Sequence, residues 1–302
     1  MWFWLSLVTL ICWSGSDLFS KIGCRDARDK YSHLKMVMAV GLVMGIHAMY
    51  EIIVGGTEIS FGIIMTYLPV SLLYIGSMAM GYLGLRYIEL SISSPICNSS
   101  GALVAVMTLF MVGFSEYSPL ALAAVALVCV GAIGLVVVDY FEDEELRAER
   151  QKSSNFKYSK SLIALALPVA YCILDAVGTF ADNRVLEILD ESSANAAYEL
   201  TFLFVGILCF IYVVVIKKDK LVPKMEAPKY IGAICESAGQ FAYIYAIADT
   251  AHLAMSAPII SSYCAASVLW SRIFLKEKLS KKHYFMIMLV VIGIAIMGFL
   301  DM

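Results

Sequence analysis

Four carboxylic acids, Asp17, Asp175, Glu199 and Glu236, stand inside long apolar runs of the sequence. An acid in such a run is costly in a bilayer and tends to face an internal cavity, where it can carry a proton or hold a cation. Glu236 carries the strongest signal. It falls near the middle of its run, and no basic residue is close to it in sequence. Gln240 and Tyr243 follow at i+4 and i+7, so on a helix the three share one face. That stripe suits proton exchange through Glu236; the structural alternative is a protonated acid bonded to a neighbouring helix.

Asp17 and Asp175 read as a pair. Each has an aromatic residue at i−4, Trp13 and Tyr171 respectively. Each sits roughly 7 Å from the middle of its run, displaced toward opposite membrane faces, which suits two gates on one pathway. Lys21 follows Asp17 at i+4 and is placed to neutralise it; Asp175 has no such neighbour. Glu199 stands about one turn into its run, nearer one membrane face. His47, a lone histidine, fits a packing role better than a proton relay. Trp13, Tyr74, Tyr82, Tyr171, Tyr243, Tyr263 and Trp270 fall away from the run ends, whereas Trp2 and Trp4 are expected in an interfacial belt. Aromatic faces together with a carboxylate form a receptor for an organic cation.

The elements that must position these residues are membrane helices. Of 302 residues, 61% are apolar and 16% charged, and the mean hydropathy is +0.81; soluble domains carry roughly 25% charged residues. Continuous apolar runs of about 20 residues span a bilayer as helices, not strands. The expected fold is therefore an all-α polytopic membrane protein with ten spans, near 2–22, 34–54, 63–87, 91–113, 118–138, 160–182, 194–216, 228–249, 253–274 and 282–300. The first run is read as a retained helix. Eight cysteines without a CxxC spacing read as buried small hydrophobes. The net charge of −3 says little in a membrane protein, and with no strongly basic tract no nucleic-acid partner is expected.

A polar break from Asp139 to Lys160 divides the spans five and five, giving a first repeat (1–140), a linker (141–159) and a second repeat (160–302). The halves echo each other. Tyr82 precedes Glu116 by the same interval as Tyr243 precedes Glu277, and within those windows sit Ser93-Ser94-Pro95-Ile96 and Ser256-Ala257-Pro258-Ile259. An odd number of spans inverts the second repeat, as in many secondary transporters. A proline in a span frees a carbonyl, so the two motifs read either as harmless first-turn prolines or as bends lining a polar cavity with Asn98, Ser99 and Ser262.

These motifs resemble the drug/metabolite transporter (DMT) superfamily in its ten-helix EamA-type branch. The resemblance is carried by WSGSDLFSK in the first span, GYLGLRYIELSISSP, IYAIADTAHLAMSAPI, and the closing LKEKLSKKHYFMIMLVVIGIAIMGF. It covers nearly the whole chain and implies a transporter. Asp17 departs from the family, which is often uncharged there. Of the 22 Lys and Arg residues, all but Arg184 fall on connections after odd-numbered spans. Positive charge marks the cytoplasmic side, so both termini are expected outside a cell (cytoplasmic) membrane, opposite to the family's usual orientation.

No Walker-type, HExxH or GxSxG motif is present, and no enzyme activity, cofactor or metal is expected. The sequence reads as a secondary transporter working by alternating access, a monomer or homodimer in the lipid bilayer. The favoured substrate is a small organic cation or amine exchanged for protons at Glu236; the alternative is a neutral or zwitterionic metabolite such as an amino acid. The expected binding residues are Trp13, Asp17, Tyr82, Asn98, Tyr171, Asp175, Glu199, Glu236, Gln240, Tyr243 and Tyr263.

Overall fold

The computed structural model describes residues 1–26, 28–141, 145 and 162–300. Nearly all of the expected linker 141–159 lies outside the described residues. Among these residues every regular element is helical: α1 (Trp2–Cys24), α2 (Ser32–Tyr50), α3 (Phe61–Gly84), α4 (Leu90–Asn98), α5 (Ser100–Val112), α6 (Pro119–Tyr140), α7 (Leu162–Val185), α8 (Glu191–Phe210), α9 (Pro223–Ile247), α10 (Leu253–Ser261), α11 (Tyr263–Trp270) and α12 (Lys281–Leu300), with short 3₁₀ and π turns at several ends.

Local chemistry sets several of the starts. Ser60 caps α3 by accepting from Ile63 N, and Asp190 caps α8 by accepting from Ser193 N. Ser118 caps α6 ahead of Pro119, whose missing N–H costs nothing in a first turn. A π turn, Glu51–Gly55, extends α2 and ends at Gly56, whose φ of +73° a side-chain-bearing residue rarely adopts. A second π turn, Ile211–Ile216, extends α8.

Helical segments occupy all ten expected positions, with α4–α5 and α10–α11 each filling one. Among the described residues, seven segments are long and apolar enough to cross a membrane. The other three are α7, α9 and α12. The first two carry in-span charges, Asp175 and Asp182 on α7 and Lys229 and Glu236 on α9, and α12 opens on Lys281 and Lys282. Large apolar side chains such as Ile11, Phe61, Phe110 and Val291 face outward, as a lipid-facing bundle surface requires.

The packing partners are α1 with α9, α3 with α7, α2 with α8, α5 with α10, and α6 with α12. The α3–α7 seam depends on two glycines used reciprocally. A Cβ on Gly81 would lie 2.9 Å from the Tyr171 ring, and one on Gly178 would lie 2.9 Å from the Tyr74 ring. Each helix thus gives up a side chain where the other inserts a tyrosine.

The connections 25–31, 85–89, 217–222 and 276–280 gather at one end of the bundle, the basic end, where a buried charge cluster ties α2 to α9. Lys35 and Lys229 both reach Asp29, each at 2.9 Å, and Glu226 lies 3.1 Å from Lys229 and 3.6 Å from Lys35. Burial opposes the ionisation of Asp29, but hydrogen bonds from Lys229 and Lys35 outweigh it and hold its carboxyl below the ordinary carboxylate range.

Candidate functional site

Pro95 and Pro258 lie inside α4 and α10 rather than in the first turn of a long helix, and each span breaks four residues later, at Ser99 and Ser262. The hydroxyls at the breaks serve the backbone. Ser99 donates to Pro95 O at 3.0 Å and Ser262 to Ile259 O at 2.5 Å. They complete the broken turns instead of lining the interior, which corrects the expected role of Ser99 and Ser262. Asn98 does face inward. Its Nδ2 donates to Ser94 O and Ser94 Oγ, and Ser94 Oγ donates to Asp17 Oδ2 at 2.5 Å. The polar stretch around Pro95 therefore ends on a carboxylate of another helix.

Asp17 also accepts from Ser267 of α11 at 2.8 Å, and Asp175 accepts from Ser100 of α5 at 2.7 Å. Both acids border one central cavity. Trp13, Tyr82, Asn98, Tyr171, Glu236, Gln240, Tyr243 and Tyr263 border it too, so ten of the eleven residues expected from the sequence meet there. Ser16 hydrogen-bonds Glu236. The Trp13 ring centroid is 5.0 Å from that of Tyr243 and 5.8 Å from that of Tyr263, and Trp13 Nε1 donates to Glu236 O. The cavity holds about 60 Å³ of space for water centres, room for a few waters at roughly 10–15 Å³ each. Among the described residues no Lys, Arg or His borders it. Two donors at its wall, Gln240 Nε2 and Tyr82 OH, are buried with no protein partner.

Three expectations are corrected, for Glu199, Lys21 and Trp2, and Trp270, left open by the sequence, is placed. Glu199 does not reach the cavity. It is fully buried between α8 and α2, with His47 Nδ1 2.9 Å from both of its oxygens. The face of α8 that carries it is turned to α2, its main packing partner, so His47 packs as half of an acid–imidazole pair, in line with its expected packing role. Lys21 does not neutralise Asp17. Its Nζ donates to Leu85 O at 2.8 Å and Ile88 O at 2.7 Å, where the end of α3 offers two carbonyls. Trp270 leaves the cavity to donate to Ser14 Oγ. Trp2 is 4% exposed and stacks on His252 with centroids 5.0 Å apart, unlike Trp4, which is 66% exposed.

Residues outside the expected set also reach the interior. Thr179 borders the cavity, and the fully buried Asp182 stands just behind it. They follow Asp175 at i+4 and i+7, the same spacing as Gln240 and Tyr243 after Glu236. That periodicity was the available signal, and it is masked because Asp182 falls at the expected end of its span.

A bundle of long apolar helices around a buried, acid-bordered cavity is a multi-pass membrane protein with a polar interior. Residues 161–299 match the model of the EamA-like transporter family. The match covers most of the second half of the chain, agrees with the resemblance read from the sequence, and points to a membrane transporter of the DMT type. A solved crystal structure whose title names no function superposes with a TM-score of 0.62 at 14% identity, over 98% of this chain and 96% of that one. At that identity the likeness concerns the fold alone. No curated protein matches the sequence.

Proposed function

We propose that the protein is a secondary active transporter that moves a small organic cation or amine in exchange for protons, with Glu236 as the exchanging acid. The observation that carries this reading is the cavity wall: Asp17, Asp175 and Glu236 border it together with Trp13, Tyr82, Tyr171, Tyr243 and Tyr263, and no basic side chain balances them. A cation supplies the missing charge and gains from the ring faces. The unpaired Gln240 Nε2 favours a second reading, a zwitterionic or neutral metabolite such as an amino acid, whose oxygen would accept from that donor.

Ten spans in two inverted five-helix repeats, 1–140 and 160–302, and alternating access between them complete the proposal. The packing supports it. Exchanging the halves turns the α1–α9 contact into α7–α3 and α5–α10 into α11–α4, and maps α2–α8 and α6–α12 onto themselves. The breaks at Ser99 and Ser262 and the π turns that extend α2 and α8 recur in corresponding helices, while a third π turn, Ser271–Leu275 after α11, has no counterpart after α5.

Thermal stabilisation of the purified protein by choline and by its uncharged carbon isostere 3,3-dimethylbutan-1-ol tests the substrate class, since a ligand of the folded state raises apparent stability. A desolvated cation over one ring gains about 2 kcal/mol, roughly a 30-fold change in affinity. Tyr243→Leu and Trp13→Leu are each expected to weaken choline by about 10- to 30-fold and the isostere far less. Equal losses for both ligands would mean that the rings only shape the cavity. Stabilisation by amino acids and not by cations would select the second reading.

The basic end is assigned to the cytoplasm, with both termini outside. Single cysteines at Ser153 and Thr57, in a background lacking the eight native cysteines, which are all free thiols, report this directly. An impermeant thiol reagent added to whole cells is expected to label position 57 and spare 153. The reverse pattern restores the orientation usual for the family.

A further inference from the structure

Asp182 of α7 lies behind the cavity wall, fully buried. Its Oδ1 accepts from Tyr67 OH at 2.6 Å and its Oδ2 from Tyr74 OH at 3.2 Å. The Tyr74 and Tyr243 hydroxyls are 2.5 Å apart, and Thr179 Oγ1 lies within 3.3 Å of both. Tyr74, Tyr243 and Thr179 border the cavity, whereas Tyr67 and Asp182 do not. Asn183 and Arg184, the next residues of the helix, border a second depression together with Phe180, Glu187 and Thr250, and Asp182 itself borders neither that depression nor the cavity.

We propose that Asp182 is a second proton-exchange site, joined to the cavity by the Tyr243–Tyr74 hydroxyl pair. This rests on the proton-coupled reading of the cavity. The groups facing Asp182 are Tyr67 and Tyr74 from α3, Tyr243 from α9 at one remove, and Thr179 and Asn183 on its own helix. Asn183 Nδ2 is held by Ile247 O at 2.7 Å, and Arg184 pairs with Glu187 at 2.8 Å. Among the described residues no cationic side chain pairs with Asp182, so nothing fixes its charge as the lysines fix that of Asp29. A metal cation would need oxygen lone pairs converging on the carboxylate, and both phenols present hydrogens instead. A proton suits the geometry. Tyr74 gives its proton to Asp182 and takes that of Tyr243, and Tyr243 takes one from a hydronium ion in the cavity, which is left as water. Both phenols end neutral, and one proton has crossed from the cavity to Asp182.

Infrared spectra of the full chain reconstituted in lipid, titrated with pH, read protonated carboxyls by their C=O stretch. Asp182→Asn is expected to remove one titrating component and Glu236→Gln a different one. Tyr243→Phe keeps the Asp182 component but slows its response to a pH jump by about 10²-fold, the scale of a lost proton-transfer partner. An Asp182→Asn spectrum identical to wild type overturns the inference, and so does an unaltered rate in Tyr243→Phe. Should Asp182→Asn fail to insert, Tyr74→Phe carries the test, because losing the donor to Oδ2 must shift the Asp182 component and an unshifted one overturns the inference. If only the Glu236 component is missing from the titration, the transport reading loses its coupling acid while Asp182 stands.

Discussion

Glu236→Gln is expected to abolish proton-coupled transport while the protein still folds and inserts. The amide keeps the shape of the acid and its place beside Ser16 but cannot ionise at any working pH. Choline is a suitable probe, because a quaternary ammonium carries no proton of its own across a bilayer. With wild-type protein in liposomes, an outward choline gradient should drive proton uptake that a trapped pH dye records. With Glu236→Gln the flux should fall to that of protein-free liposomes, a drop well beyond tenfold if this carboxyl is the obligatory carrier. Wild-type flux in the variant would make Glu236 a structural residue. The same assay separates it from Asp17 and Asp175. Those two have serine donors, Ser94 and Ser267 for Asp17 and Ser100 for Asp175, as Glu236 has Ser16; with Glu236 as the exchanging acid, their asparagine variants are expected to weaken choline binding more than they uncouple it.

Lys229→Met is expected to be the most destabilising single change at the basic end, costing about 3–5 kcal/mol, the range for removing one partner of a buried ion pair. The Lys229 side chain is 0% exposed and lies between Asp29 and Glu226. Methionine fills much of the space but leaves Asp29 with Lys35 alone. The unfolding temperature in detergent measures the loss, and Asp29→Asn in the same chain should recover part of it by removing the stranded charge. Arg28→Met provides the contrast. Its pair with Asp26 is solvent-exposed, and no measurable change is expected. The pH dependence has a definite sign. Asp29 is held below its unfolded value of about 3.9, so its contribution is complete above that pH and is lost as pH falls through the lower, folded value. Wild type should lose its advantage over Lys229→Met in acid. An advantage that persists there would mean that Lys229 acts through packing.

What the sequence determined by itself was depth and kind. Run length and composition specified membrane helices, the position of Glu236 within its run placed an acid deep in the bundle, and the i+4 and i+7 spacing put Gln240 and Tyr243 beside it. Pro95 and Pro258 marked two places that read either as first-turn prolines or as bends, and the shared i−4 spacing paired Trp13–Asp17 with Tyr171–Asp175. What only the tertiary structure decided was the rotation of each helix about its axis. In water an apolar stripe reveals the buried face, but in a bilayer the lipid-facing side is as apolar as the packed side, so periodicity is weak and rotation is set by steric fit between neighbours. That fit turns Glu199 towards His47 on α2, sends Lys21 past Asp17 to the carbonyls of Leu85 and Ile88, and brings Asp182 under Tyr67 and Tyr74 from the other half of the chain. None of these partners is near in sequence except Asp17, and that one pair, adjacent on its own helix, is not formed because two backbone acceptors at the end of α3 hold the lysine instead.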